Sequence, residues 1–217
     1  MLLDSKYKKY FIYLLFFSAL IPLKPTLAAS PWVPTISNPS DLRNIDTDND
    51  GLWDDWEQAL NTDTNNPDTD NDGYPDGLEV QNSYSPMSSD TAKIKKKIET
   101  NLSKQELTYY FGETKLDQFA ISGGKPSTPT PVGTFSIIKK RPVVHYRGRG
   151  FDYPNTQWNL MFKRGSGVLN YYVHGAWWHN KFGNTVSGGC INVPYEPGYM
   201  GRLYDWADIG TEITVYP

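Results

Sequence analysis

The chain's only cysteine, Cys190, lies sixteen residues after His174, inside the run Ser187-Gly188-Gly189-Cys190-Ile191-Asn192. A thiol beside an imidazole can be activated as a thiolate for acyl transfer. Adjacent glycines let the backbone approach a substrate closely and aim successive N–H groups at one oxyanion. His174 closes the alternating run from Leu169 to His174, which puts Asn170, Tyr172 and His174 on one strand face. A lone cysteine is ordinarily a buried small hydrophobe and a lone strand histidine ordinarily structural. Their order and setting lift these two above that reading. His145 and His179 have no such support and are assigned to surface or core and to a loop, respectively. Ser187 has no Gly-x-Ser-x-Gly elbow around it, so it is read as supporting Cys190. Fully extended, the sixteen steps span roughly 50 Å, so the loop from Gly175 to Val186 must fold back for thiol and imidazole to meet.

A second constellation lies upstream. Asp46, Asp48, Asp50, Gly51, Asp54 and Glu57 occupy positions 1, 3, 5, 6, 9 and 12 of a calcium loop, with Leu52 supplying a carbonyl at position 7. The pattern returns 22 residues later as Asp68, Asp70, Asp72, Gly73, Asp76 and Glu79, with Tyr74 at the carbonyl position. Alternate carboxylates can converge on one hard cation, glycine permits the sharp turn, and the final glutamate can close the shell. The alternative is a disordered acidic linker, which two complete tandem matches disfavour. No pair of long helices flanks either loop, so the segment resembles bacterial thrombospondin type 3 and dockerin-like repeats more than a calcium sensor. That resemblance implies two structural calcium ions and, on the dockerin side, a protein partner such as a wall protein or scaffold.

Charge separates two regions. Residues 41–90 carry 14 acids and one base, whereas residues 91–217 carry 16 bases and nine acids, so blocks with different tasks are expected. With 38% hydrophobic and 14% aromatic residues among 217, the chain can bury at least one ordinary core. Lys6, Lys8 and Lys9 lead into the apolar run Phe11 to Leu23, and Thr26-Leu27-Ala28-Ala29 offers small residues for cleavage. The expected organisation is a signal peptide over 1–29, a linker over 30–45, calcium loops over 46–90 and a second domain over 92–217. Export to a periplasm, cell wall or extracellular space follows, with no permanent membrane anchor, because the apolar run is short for a bilayer span. No motif supports nucleic-acid binding. From Ala92 onward, short runs rich in β-branched and aromatic residues predict strands at Ser103–Phe111, Lys115–Ser122, Gly133–Lys139, Leu160–Lys163, Leu169–His174 and Glu212–Tyr216. The fold class is mainly β, a sandwich or barrel with one short helix near Tyr199–Ala207, plus a small N-terminal calcium-loop module.

Val173-His174-Gly175 followed by Ser187-Gly188-Gly189-Cys190-Ile191-Asn192 resembles the signature of the L,D-transpeptidase catalytic domain, the YkuD family. Ser127 to Phe135 is similar to that family's upstream TP-x-G-x-F element, and Leu203 to Tyr216 to its terminal helix and strand. The resemblance covers about residues 94–217. It implies that Cys190 attacks a peptidoglycan stem-peptide carbonyl, His174 shuttles the proton and the Gly175 carbonyl orients the imidazole. It further implies that Ser187 shapes the site, that the Gly189 and Cys190 N–H groups form the oxyanion site, and that Asn192 occupies a position commonly Asn or Arg. Tyr172, Trp177 and Trp178 are candidates to line or cover the peptide cleft. Gly188 departs from the pattern, since many members carry His or Lys there. The expected reaction is a 3→3 cross-link through a Cys190 thioester, with no cofactor for catalysis. Alternatives are an L,D-carboxypeptidase, wall-protein anchoring by the same acyl-enzyme, or an inactive calcium-dependent wall-binding protein. A sortase is disfavoured, and NlpC-type peptidases place the cysteine before the histidine.

Overall fold

The computed structural model describes residues 44–166, 170–196 and 198–217. The expected export signal, its cleavage point and all but the end of the 30–45 linker lie outside those residues. So does Leu169, the first residue of a predicted strand. Among the described residues, no helix is long and apolar enough to cross a membrane.

Two sheets carry the larger part of the chain. The first has five strands in the order β3-β2-β1-β9-β4: β1 (Lys96–Asn101), β2 (Glu106–Phe111), β3 (Thr114–Ala120), β4 (Gly133–Ser136) and β9 (Glu212–Tyr216). The second has four, in the order β5-β6-β7-β8: β5 (Lys139–Gly148), β6 (Phe151–Arg164), β7 (Asn170–Gly175) and β8 (Ile191–Val193). Alternation drives the first sheet, since Leu107, Tyr109 and Phe111 of β2 and Ile213 and Val215 of β9 all point into the core. Leu160, Phe162, Val173, Ile191 and Val193 of the second sheet join the same core, as do Met200, Leu203 and Trp206 of helix α3 (Tyr199–Trp206). The mainly β architecture and the helix near Tyr199 match the expectation from sequence.

Several strand boundaries differ, for physical reasons. Residues 102–105 turn before β2 begins, so the run predicted from Ser103 starts at Glu106. β1 was not predicted because its inward face reads Lys96, Ile98, Thr100, polar at two of three positions. Burial lowers the pKa of Lys96, but its Nζ donates to the Gln81 and Trp206 carbonyls at 2.8 Å each and pairs with Asp208 at 2.9 Å. β5 and the outer half of β6 form a long, largely exposed hairpin, so neither face has the apolar alternation that betrays a strand. β8 has only three residues.

The acidic segment is built into this fold. Short helices α1 (Asp54–Leu60) and α2 (Asp76–Gln81) each begin inside one acidic loop. Leu52, Trp56 and Val80 enter the same hydrophobic core as Ile98, Tyr109 and Trp206. The Trp56 ring meets Tyr109 edge-on at 5.9 Å. Asp55 of α1 forms a two-pronged ion pair with buried Arg202 of α3, at 3.0 and 2.6 Å, and the guanidinium lies 4.7 Å above the Trp56 ring. Removing one partner of such a pair leaves the other charge buried and uncompensated. Asp55→Ala is therefore expected to lower stability by about 3 kcal/mol, measured by urea unfolding; a loss below about 1 kcal/mol, as for an exposed pair, contradicts this view of the contact.

Candidate active site

The sixteen-residue separation of His174 and Cys190 is closed by strand pairing. β7 and β8 run parallel and adjacent, with Val173 opposite Ile191, His174 opposite Asn192 and Gly175 opposite Val193. His174 and Asn192 are therefore lateral neighbours on one face, and Cys190 immediately precedes β8, with its thiol beside the Asn170 carbonyl of β7. The intervening loop is the crossover that a parallel pair requires.

His174 is buried, and its Nδ1 lies 2.9 Å from the Gly175 carbonyl oxygen. A carbonyl can only accept, so Nδ1 carries the proton and Nε2 keeps its lone pair. The Tyr146 ring stacks on the imidazole with centroids 4.8 Å apart, and its hydroxyl donates to Asn159 Oδ1 at 2.8 Å. Asn159 is itself paired with His174 across β6 and β7. Gly175 must be glycine, because a Cβ there would lie 2.0 Å from the Tyr195 ring.

Cys190 is partly buried, and its thiol donates to the Asn170 carbonyl at 3.8 Å. Among the described residues no hydrogen bond joins it to His174; such contacts often tighten only around bound substrate. Burial pushes the thiol up to about 11, against a smaller opposing effect of the Tyr172 backbone. Burial likewise pushes His174 down to about 4, aided by nearby His179 and opposed by the Gly175 bond. Both shifts favour the uncharged thiol and imidazole.

The turn before the cysteine is held by Ser187. Its Oγ donates to the Cys190 carbonyl at 2.5 Å and accepts from the Gly189 N–H at 3.0 Å. The Gly189 N–H, expected at the oxyanion site, is thus bonded to Ser187 Oγ. Gly189 has φ 121°, and a Cβ there would meet the Tyr171 ring at 3.1 Å, so no other residue fits well. Gly188 is different: a Cβ there meets nothing within 4 Å. The upstream Thr-Pro element abuts this turn, with Lys125 N–H donating to the Ser187 carbonyl at 3.1 Å and Gly124 N–H to Thr130 Oγ1 at 2.8 Å.

An aromatic wall flanks the imidazole. Trp178 lies 5.7 Å from His174 and stacks face to face on Tyr153 at 3.9 Å, while Trp177 is half exposed beside both. Tyr172, also expected at the cleft, is only 6% exposed and packs edge-on against Tyr146. Tyr146, Tyr153 and Asn159 escape sequence reasoning because they lie on the hairpin that shows no readable alternation.

The two acidic loops repeat one another in detail. Gly51 N–H donates to Asp46 Oδ2 at 3.1 Å and Gly73 N–H to Asp68 Oδ2 at 2.9 Å, with both glycines at positive φ. Carboxylate oxygens of Asp46, Asp48 and Asp50 converge within 4.8 Å of one another, as do those of Asp68, Asp70 and Asp72. Both oxygens of Glu57 and one of Glu79 are buried without a partner among the described residues, and so is one oxygen each of Asp46, Asp48, Asp68 and Asp70. Burial, and then the surrounding carboxylates, raises Glu57 to about 8 and Glu79 to about 7. Such a set of orphaned oxygens suits a hard divalent cation. Asp54 and Asp76, expected at position 9 of each shell, also accept bonds within their own loops. Each receives Thr47 or Thr69 through both N–H and hydroxyl, at 2.8 and 2.7 Å and at 2.9 and 2.6 Å, and so clamps its loop shut. Leu52 and Tyr74, expected to supply the carbonyl at position 7 of each loop, differ in setting, since Leu52 is buried and Tyr74 exposed. The loops also interlock, since Gly77 N–H donates to Asp50 Oδ2 at 2.8 Å.

Comparison with known proteins agrees with this geometry. The family described as the L,D-transpeptidase catalytic domain, YkuD, matches residues 95–215, and the bacterial TSP3 repeat matches residues 46–67 and 68–82. No curated protein matches the chain. Among solved structures, an L,D-transpeptidase from Mycobacterium smegmatis is similar at 28% identity and TM-score 0.51, covering 58% of this chain and 60% of that one. The L,D-transpeptidase LdtMt1 in complex with imipenem is similar at 27% identity and TM-score 0.50, covering 57% and 60%. An L,D-transpeptidase from Mycobacterium tuberculosis H37Rv, at 23% identity and TM-score 0.51, shares the fold over 62% of this chain and 63% of its own. The similarity thus spans about 60% of the length of the first two solved chains. Over residues 95–215 the chain belongs to the YkuD family of L,D-transpeptidase catalytic domains, with bacterial TSP3 repeats immediately ahead of it.

Proposed function

We propose that the protein is an exported peptidoglycan L,D-transpeptidase that uses Cys190 as nucleophile and His174 as general base. The observation that supports this reading is the parallel β7–β8 pair, in which His174 lies opposite Asn192, two residues beyond Cys190, while Ser187 braces the turn. Cys190 Sγ attacks the carbonyl of the third stem residue as its proton passes to His174 Nε2. The bond to the terminal D-Ala breaks, the departing amine takes that proton, and a thioester remains. An amine of a neighbouring stem then attacks the thioester, gives a proton to His174, and leaves as a 3→3 cross-linked product while the thiol is restored. With Gly189 N–H held by Ser187, the Cys190 amide is the oxyanion donor assigned here. Because burial favours the uncharged thiol and imidazole, the proton transfer proposed here accompanies attack.

In the acidic segment we assign calcium to both loops, with Asp46, Asp48, Asp50 and Glu57 holding one ion and Asp68, Asp70, Asp72 and Glu79 the other. Calcium supplies no chemistry to the thiol. It offsets carboxylate repulsion in a segment whose Leu52, Trp56 and Val80 complete the catalytic core. Peptidoglycan stem peptides are the assigned partner of the cleft, and the repeats can in addition face a wall protein.

Incubating the protein and its Cys190→Ala variant with disaccharide-tetrapeptide should give, by mass spectrometry, a dimer lacking one D-Ala only when Cys190 is present. Tripeptide alone would mean that water is the acceptor, and no Cys190-dependent product would return the chain to a binding role. Alkylation of Cys190 by iodoacetamide should accelerate about tenfold per pH unit between about pH 7 and 10, because the thiolate fraction keeps rising below a pKa near 11. A plateau at neutral pH would instead reveal a preformed thiolate–imidazolium pair. Chelation of calcium should lower the melting temperature of the whole chain by more than about 5 °C in one cooperative transition; an unchanged catalytic transition would detach the ions from the enzyme's stability.

A further inference from the structure

His179 lies in the crossover loop, and its two ring nitrogens have partners that determine its protonation. The Lys181 backbone N–H donates to Nδ1 at 3.2 Å, so Nδ1 must offer its lone pair. In a neutral imidazole the proton then sits on Nε2. Burial, with the Lys181 charge adding to it, lowers the His179 pKa and favours that neutral form. Nε2 lies 2.9 Å from Asn192 Nδ2. Two N–H groups facing at that distance repel, whereas a half-turn of the carboxamide puts Oδ1 there and makes a good hydrogen bond. Nδ2 then occupies the other end of the amide, where among the described residues the carboxamide has no hydrogen-bond partner.

Asn192 itself adjoins the candidate site. Asn192 is buried, directly opposite His174 in the β7–β8 register and two residues beyond Cys190. Its backbone is fixed on the other side by reciprocal bonds with Ser122, at 2.8 and 2.9 Å, so the side chain's rotation is the remaining freedom. The His179 ring is in turn packed against Phe182 at 4.9 Å and against the edge of Trp178 at 6.2 Å.

We propose that His179 is a positioning residue: its Nε2–H fixes the Asn192 carboxamide so that Nδ2 donates to a carbonyl or carboxylate oxygen of the bound stem peptide. The proposal rests on the transpeptidase reading for its substrate, but the tautomer and the amide orientation do not.

The test compares His179→Ala and His179→Gln in the full chain with calcium. Steady-state kinetics on disaccharide-tetrapeptide are read beside melting temperature and the iodoacetamide rate of Cys190. Loss of the held amide should raise KM about tenfold in His179→Ala, the scale of one hydrogen bond to substrate, while melting temperature and alkylation stay near wild type. Glutamine can present an N–H to Asn192 Oδ1, so His179→Gln should recover to within about threefold. Equal defects in both variants, or no defect in His179→Ala, overturns the positioning role. Long-range 15N–1H NMR of the ring gives a readout that needs no turnover. An Nε2–H tautomer at neutral pH supports the proposal and an Nδ1–H tautomer overturns it, even if the wild type yields no cross-linked product and the transpeptidase reading fails.

Discussion

The catalytic half depends on the pairing of two short parallel strands. A parallel neighbour cannot be reached by a tight turn, so the chain must leave β7 at Gly175 and return to β8 at Ile191 through a crossover. That detour supplies almost every component of the site: Trp178 and His179 on the way out, Ser187 and Gly189 on the way back, and the thiol at the point of return. Because register has a period of two, a slip by one residue would turn either Asn192 or His174 to the other face. The site resists such a slip through bonds outside the ladder, including Ser187 to the Cys190 carbonyl and the reciprocal Ser122–Asn192 pair.

A second physical demand comes from the acidic loops. Buried carboxylates without partners are costly, and Glu57 is fully buried among Asp48, Asp50 and Asp54. The same residues lie within a few positions of Leu52 and Trp56, which fill the core beneath α3. Repulsion and packing therefore act on one short stretch in opposite directions. The Arg202 pair with Asp55 and the Lys96 bond to the Gln81 carbonyl fasten the repeats at two separate points.

Much of the chemistry was legible in the sequence because it rests on rare residues at characteristic spacings. One cysteine, three histidines and two tandem aspartate loops leave few ways to arrange a thiol site or a cation site. The mainly β class was legible where strands alternate cleanly, as in β2 and β9. What stayed hidden depends on tertiary contact. Tyr146 and Asn159 lie on an exposed hairpin with no apolar period, and the link from His179 to Asn192 joins a loop to a strand thirteen residues on. The clamp of Thr47 on Asp54 involves a residue that the calcium-loop pattern assigns to the ion. Tandem spacing also says nothing of docking, and the core that Leu52, Trp56 and Val80 share with Ile98, Tyr109 and Trp206 has no signal in the sequence.

That shared interior bears on how such a protein can be inherited. Repeats and catalytic domain follow one another like beads in the sequence, yet Trp56 and Val80 share one buried core with Trp206, a face that a domain cut free at residue 92 would present to water. Gly77 adds a further restriction, since a Cβ there would lie 2.6 Å from the Asp50 carbonyl oxygen and force the two loops apart. An exchange of genetic material that carried the repeats elsewhere would leave both fragments with raw apolar faces. Linear modularity and physical separability have parted company in this chain, and substitutions on either side of the seam must be accommodated together.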